Sequence, residues 1–236
     1  MKRKLFYLLA LAILVSSCSK DDDDFRPASL LSAYDLDVID YFKDIALGFE
    51  FGTASKITRK WGPEMNVFVG GEPGTELLDE LDRILAEIND LATDGFKVSI
   101  VNDSLESNYY VFFGSASSYA EIFPSQSEYI NSNWGLFWVY WSGANQLNSG
   151  HMYVDIIRAD SAEQKHMLRE EFTQSLGLAR DSPRYMNSIF QSAWTSTNEY
   201  ASIDKDLIRL LYHPEMSIGL NETQVEQVLT NILINE

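Results

Sequence analysis

The sequence predicts an α+β fold, α/β-like in its first part: a mixed sheet with helices, followed by a small, mostly helical C-terminal lobe. Three observations carry this expectation. Up to Ile157, short β-rich runs bounded by turn residues are interrupted by one long amphipathic helix. From Ser161 onward, apolar residues recur at helical spacing. With 45% hydrophobic and 13% aromatic residues, the 236-residue chain can fill one core and is far from a disordered composition.

The elements follow in order. A first helix is expected over Tyr34–Leu47, with Ser32 near its start, Ile39, Phe42 and Ile45 inward and Gly48 as the stop. A strand, Met65–Val69, leads to the turn Gly70-Gly71-Glu72-Pro73-Gly74. Leu77, Leu81, Ile84, Ile88 and Leu91 then mark a helix ended by Asp94-Gly95. Strands are expected at Phe96–Val101, Tyr109–Phe113, Gly135–Trp141 and His151–Ile157. Ser161-x-x-Gln164 reads as a capping box opening a helix that runs to Leu176 and stops at Gly177. Ser202 starts a helix with Ile203, Leu207 and Leu210 inward and Pro214 as terminator; a last helix from near Asn221 carries Val225, Val228, Leu229 and Ile232. The sheet-and-helix lobe is thus expected over 29–177 and the helical C-terminal lobe of the same domain over 178–236.

Residues 1–17 read as a secretory signal: Lys2, Arg3 and Lys4 precede an apolar run, Leu5–Val15, too short to span a bilayer comfortably. The segment ends Val15-Ser16-Ser17-Cys18, which resembles the bacterial lipobox. That resemblance implies cleavage before Cys18 and its lipidation, making 18–28 a lipid anchor and acidic tether. The run Lys20-Asp21-Asp22-Asp23-Asp24 is similar to acidic tags that send some Gram-negative lipoproteins to the cell surface; a spacer facing the periplasm is the alternative. The expected location is the cell envelope, anchored to outer-membrane lipid. The formal charge of -17 becomes -20 once the signal removes three basic and no acidic residues. A chain this acidic is not expected to bind nucleic acid.

The most informative string is Leu168-Arg169-Glu170-Glu171-Phe172-Thr173-Gln174-Ser175-Leu176-Gly177-Leu178. As E-E-x-x-Q-x-x-G-x-x-R it resembles the metzincin zinc-peptidase helix H-E-x-x-H-x-x-G-x-x-H. The resemblance implies a metzincin-like (zincin-like) sheet-and-helix scaffold. It puts Glu170, Gln174 and Arg180 at the three metal-ligand positions and Glu171 at the general-base, or catalytic, position. Beyond this helix, Phe42…Gly48, Gly135-Leu136-Phe137-Trp138-Val139, Ser188-Ile189-Phe190 and Asp204-x-x-Leu207-Ile208-Arg209-Leu210-Leu211-Tyr212-x-Pro214 are similar to an uncharacterised family of secreted bacterial proteins, a resemblance that brings no established activity.

Coordination chemistry limits what the altered helix can do. Zinc prefers imidazole and thiolate; an amide such as Gln174 is a poor ligand and Arg180 repels the ion. Without a metal, Glu171 has no activated water to deprotonate, so no cofactor is expected. Two other metal arrangements remain: Glu170, Gln174 and Asp181 as an oxygen site for calcium or magnesium, and His166 with Glu170 as a zinc pair. Against both stands a solvated helix face opposite Leu168, Phe172 and Leu176. A further alternative is an ion-pair network in which Arg169 and Glu170 anchor the C-terminal lobe, completed by Asp181 and Arg184.

Other constellations point elsewhere. Glu170 and Glu171 are helix neighbours about 100° apart and form no glycosidase dyad. The Gly70–Gly74 turn lacks a phosphate-binding lysine, and no nucleophile elbow is present. His151, His166 and His213 are scattered, which favours structural roles. The strand Trp134–Trp141 is apolar on both faces and is expected to be buried on both. The functional alternative borders it with a cleft that pairs with an extended peptide, and aromatic stacking on glycan is a third option. The sequence therefore favours a binding or structural lipoprotein without zinc-peptidase activity, whose partner is a protein, peptide or glycan. The alternative is a divergent hydrolase using Glu171 with an atypical metal or none.

Overall fold

A computed structural model describes residues 30–236. The signal segment, Cys18 and the Asp21–Asp24 tether lie outside the described residues. Among the described residues no helix is long and apolar enough to cross a membrane.

The first helix, α1 (Ala33–Ala46), is opened by a reciprocal box in which the Ser32 hydroxyl accepts from the Asp35 N–H and the Asp35 carboxylate accepts from the Ser32 N–H. It buries Val38, Ile39, Tyr41, Phe42 and Ile45, and the chain leaves it through Gly48 at φ 120°. Strand β1 (Glu64–Gly71) absorbs two glycines expected in the turn. Gly71 lies so close to the neighbouring strand that a Cβ there would sit 1.9 Å from the Phe113 carbonyl oxygen. Helix α2 (Thr75–Leu91) crosses over to β2 (Lys97–Val101), β3 (Tyr109–Gly114) follows, and β4 (Gly135–Trp141) and β5 (Leu147–Asp155) complete the sheet.

The strand order is β2-β1-β3-β5-β4, parallel except for β4, which pairs antiparallel with β5. Strand β4 is therefore an edge strand, and the expectation that it is buried on both faces is corrected. One face of its first half meets Phe112, Tyr119, Ile130 and Tyr153 through Leu136, and the other packs Val139 into the main core. Its far end runs out of cover, leaving Tyr140 46% and Trp141 40% exposed. The expected strand His151–Ile157 starts earlier, at Leu147, because ladder pairing carries the polar stretch Asn148-Ser149-Gly150. Helix α3 (Ala116–Ile122) was not expected. Seven residues beginning Ala-Ser-Ser give no periodic signal, yet Ser115 caps it and Tyr119 anchors it to the sheet.

Helix α4 (Ser161–Gln174) packs against β4, β5 and α2. Its capping box is one residue earlier than expected: the Asp160 carboxylate accepts from the Ala162 and Glu163 N–H groups, and Glu163 accepts from the Asp160 N–H. A charged cap is the stronger acceptor, and the Ser161 hydroxyl turns to Glu76 instead. The chain breaks away at Gly177 (φ 115°) as expected. Helices α5 (Ser202–Leu211) and α6 (Glu222–Asn235) then contribute Leu207, Ile208, Leu211, Val225 and Leu229 to a core shared with α1 and α2. The fold is thus a mixed sheet with helices followed by a helical C-terminal section.

Candidate functional site

The helical stripe His166, Glu170, Gln174 repeats every fourth residue and so faces one way. It forms a wall of a cavity of about 520 Å³, completed by Glu50, Glu163, Glu171, Asp181, Trp134 and Trp194. The stripe is not the solvated face expected from the sequence: His166 and Gln174 are buried, because the chain after Gly177 returns across them. A second, mostly apolar groove of about 530 Å³ runs on along β4 past Phe137, Val139 and Trp141, walled on the other side by Phe49, Phe51 and Ala54. Glu50, Asn133, Gly135 and Glu171 line both, so the two form one continuous cleft beside the open edge of the sheet. Among the described residues no lysine or arginine lines either part.

Glu171 fits its place because residue 135 is glycine: a Cβ there would lie 3.0 Å from both Cγ and Oε1 of Glu171. Burial raises its carboxyl pKa well above the usual range, the charges of Glu170, Asp181 and Glu50 raise it further, and the Phe137 N–H opposes them. Asp181 is raised to about 7 by burial and by Glu170 and Glu50, despite the hydrogen bond it accepts from the Gln174 amide at 2.5 Å. Glu50 is raised by burial and by Glu170. Burial alone would lower the pKa of His166, but Glu170, 3.2 Å from Nε2, and the Thr197 carbonyl at Nδ1 together raise it. Crowding of this kind favours the protonated form of a carboxyl, or a cation in the proton's place.

This arrangement makes the ion penalty at Asp181 measurable. A folded-state pKa near 7 against 3.8 unfolded means the native protein binds the extra proton between those values. Stability is therefore lost as pH rises through 7, and the penalty is absent below 3.8. The shift corresponds to at most about 4 kcal/mol, which solvent at the cleft mouth screens to on the order of 1–2 kcal/mol. Asp181→Asn is expected to melt roughly 3–6 °C above the wild type at pH 8 and level with it near pH 4. His151 opposes this trend in both proteins equally, since burial lowers its pKa to about 4, and cancels in the difference. A difference in Tm that does not change with pH would contradict the assignment.

The positions matched to the zinc-peptidase helix do not converge on a metal. Glu170 meets His166, Gln174 turns its amide N–H to Asp181, and Arg180 leaves the cleft to donate to the Asp44 carbonyl at 3.2 Å. Arg180 is thus not brought to the site, whereas its neighbour Asp181 is. The pair His166–Glu170 is closed on itself, with Thr197 engaging the other ring nitrogen, and Glu170, Gln174 and Asp181 do not present three oxygens to one point. Among the described residues no group of three or more His, Cys, Asp and Glu is placed to hold a metal ion.

The expected ion-pair network divides. Arg169, on the opposite side of α4, is fully buried, bonds Glu80 at 2.9 Å and Glu87 at 3.2 Å on α2, and lies 4.4 Å from the ring of Tyr200. Arg184 pairs with Asp37 on α1, and Asp181 joins neither. Sequence reading missed Glu50, Glu163 and Trp194 as cleft residues. The only local signal was an acid set between aromatics in Phe49-Glu50-Phe51.

No curated protein matches the sequence. Among solved structures, one titled "Structure of Myroilysin" aligns with a TM-score of 0.39 at 12% identity over 65% of this chain and 82% of that chain, too distant to bear on function. A family model described as "Protein of unknown function (DUF2927)" matches residues 35–231, so that it spans the sheet, α4, the cleft and the C-terminal helices together. The chain belongs to the DUF2927 family.

Proposed function

We propose that this protein is a non-hydrolytic binding module of the cell envelope, tethered to outer-membrane lipid through Cys18, whose degenerate metzincin-like cleft receives an extended polypeptide alongside β4. The observation that carries this reading is the diversion of all three ligand-position side chains to other partners while the cleft beside the edge strand stays open. An open strand edge offers unpaired backbone groups to an added strand, and neighbouring cavities select its side chains. The protein is expected not to cleave unstructured peptides. Turnover that disappears in Glu171→Gln would overturn the proposal.

The raised proton affinity of Glu171 favours a second reading, a divergent hydrolase with Glu171 as general acid or base. Its signature is turnover that survives exhaustive chelation yet depends on Glu171. The anchor has a separate test: Cys18→Ala is expected to move the protein from the membrane to the soluble fraction, and unchanged fractionation would reject Cys18 as the tether. Protease shaving of intact cells distinguishes surface display from the periplasmic face.

A further inference from the structure

We propose that the cleft selects peptides carrying a basic side chain, which enters the carboxylate-lined cavity at the Gly135 end of β4 while an apolar side chain occupies the groove toward Trp141. This rests on the strand-addition reading and names its ligand class. Three independent features converge on such an occupant.

The first is continuity. Gly135 and Glu171 sit where the acidic cavity opens into the apolar groove, so one strand laid along β4 passes both. Gly135 to Trp141 spans about 20 Å at roughly 3.3 Å per residue, the reach of about seven residues with alternate side chains facing the cleft. The second is charge. Glu50, Glu163, Glu170, Glu171 and Asp181 face the cavity from the loop after α1, from α4 and from the segment after Gly177, with His166 the single basic group facing them among the described residues. His166 bonds one Glu170 oxygen, Gln174 bonds Asp181, and Glu163 caps α4. Among the described residues no side-chain cation lines the cleft at Glu50 or Glu171. An ammonium or guanidinium supplies the positive charge that these groups otherwise obtain by binding protons, whereas an acidic side chain adds to the repulsion.

The third is the aromatic wall. Trp134 and Trp194 meet edge to face at 5.9 Å, and Trp194 is 63% exposed at the cavity rim. The Trp134 ring already has the Arg158 guanidinium 5.7 Å from its centroid, so the exposed Trp194 indole beside the carboxylates is the face that suits a ligand cation and holds the alkyl stem of lysine or arginine. At the other end, Trp141 stacks on Phe49 at 5.3 Å with the Arg59 guanidinium 4.7 Å from the Trp141 ring, fixing an apolar surface.

The test uses the full-length chain purified in detergent and three blocked heptapeptides of alternating valine and threonine. They end in phenylalanine and differ only at the third residue: lysine, methionine or glutamate. Binding is followed by tryptophan fluorescence and calorimetry. The lysine peptide is expected to bind about tenfold more tightly than the methionine peptide, and the glutamate peptide most weakly. The lysine advantage should shrink as salt is raised. In the isosteric double variant Glu50→Gln, Glu171→Gln, checked for folding by circular dichroism, the lysine-to-methionine ratio should fall toward one. Equal binding of the three peptides, or preference for glutamate, overturns the basic selectivity and leaves strand addition standing. Absence of binding by all three overturns both.

Discussion

Replacing Arg169 by methionine is expected to lower the unfolding free energy by about 3–5 kcal/mol, roughly 10 °C or more in Tm. Arg169 is the fully buried cation that bridges Glu80 and Glu87, while the partly exposed Arg83 reaches Glu80 at 2.8 Å and Glu87 at 3.6 Å from the surface side. Methionine keeps much of the packing volume but gives up the cation–π contact with Tyr200, and it leaves Glu80 and Glu87 with an apolar wall on the α4 side and Arg83 alone as a cationic partner. Adding Glu80→Gln and Glu87→Gln to Arg169→Met should recover much of the stability, because replacing a whole buried ion network is far less harmful than removing one partner. A Tm within about 3 °C of the wild type would show that Arg169 does not hold α4 against α2.

Gly177→Ala is the second large effect, about 3 kcal/mol or more. Residue 177 has φ 115°, a region that L side chains rarely adopt, and an added Cβ would sit 2.0 Å from the Arg59 carbonyl oxygen. Strain of about 1–2 kcal/mol is compounded by overpacking of about 1–3 kcal/mol, since neither backbone can give way freely. The same turn sends the chain back to Asp181 and places the Ala179 carbonyl where the Glu50 N–H bonds it at 3.0 Å. Gly177→Ala should therefore weaken peptide binding as well as stability. Wild-type Tm together with wild-type peptide affinity would sink the account.

Much of this architecture was legible because each element announces itself locally. Leu77 through Leu91 repeats at helical spacing on α2, and Gly177 breaks α4 where the pattern says it should. What was not legible depends on neighbours far away in sequence. The edge position of β4 follows from strand order, which its doubly apolar pattern cannot reveal. The burial of His166 and Gln174 follows from the path of residues 181–197, and Arg180 and Asp181 exchange roles through a single-residue difference in chain direction. Among the cleft residues, Glu170 and Glu171 on α4 were found through a motif. Glu50 and Trp194 were not, because a lone acid in a loop and an exposed tryptophan look ordinary until the cavity between them is seen.

The C-terminal end of α4 is closed by side chains from two distant parts of the chain. The Trp61 indole donates to the Ser175 carbonyl, and the Tyr212 hydroxyl donates to the Leu176 carbonyl while accepting from the Trp61 N–H. Tyr212 is made 36 residues after Leu176, so during synthesis α4 has no partner for that carbonyl until α5 has emerged. The end of the helix that walls the cleft is thus secured by long-range closure and not by the helix's own local sequence. A chain interrupted before Tyr212 would hold all the cleft acids and both tryptophans of its acidic wall, yet leave the end of α4 without its lock.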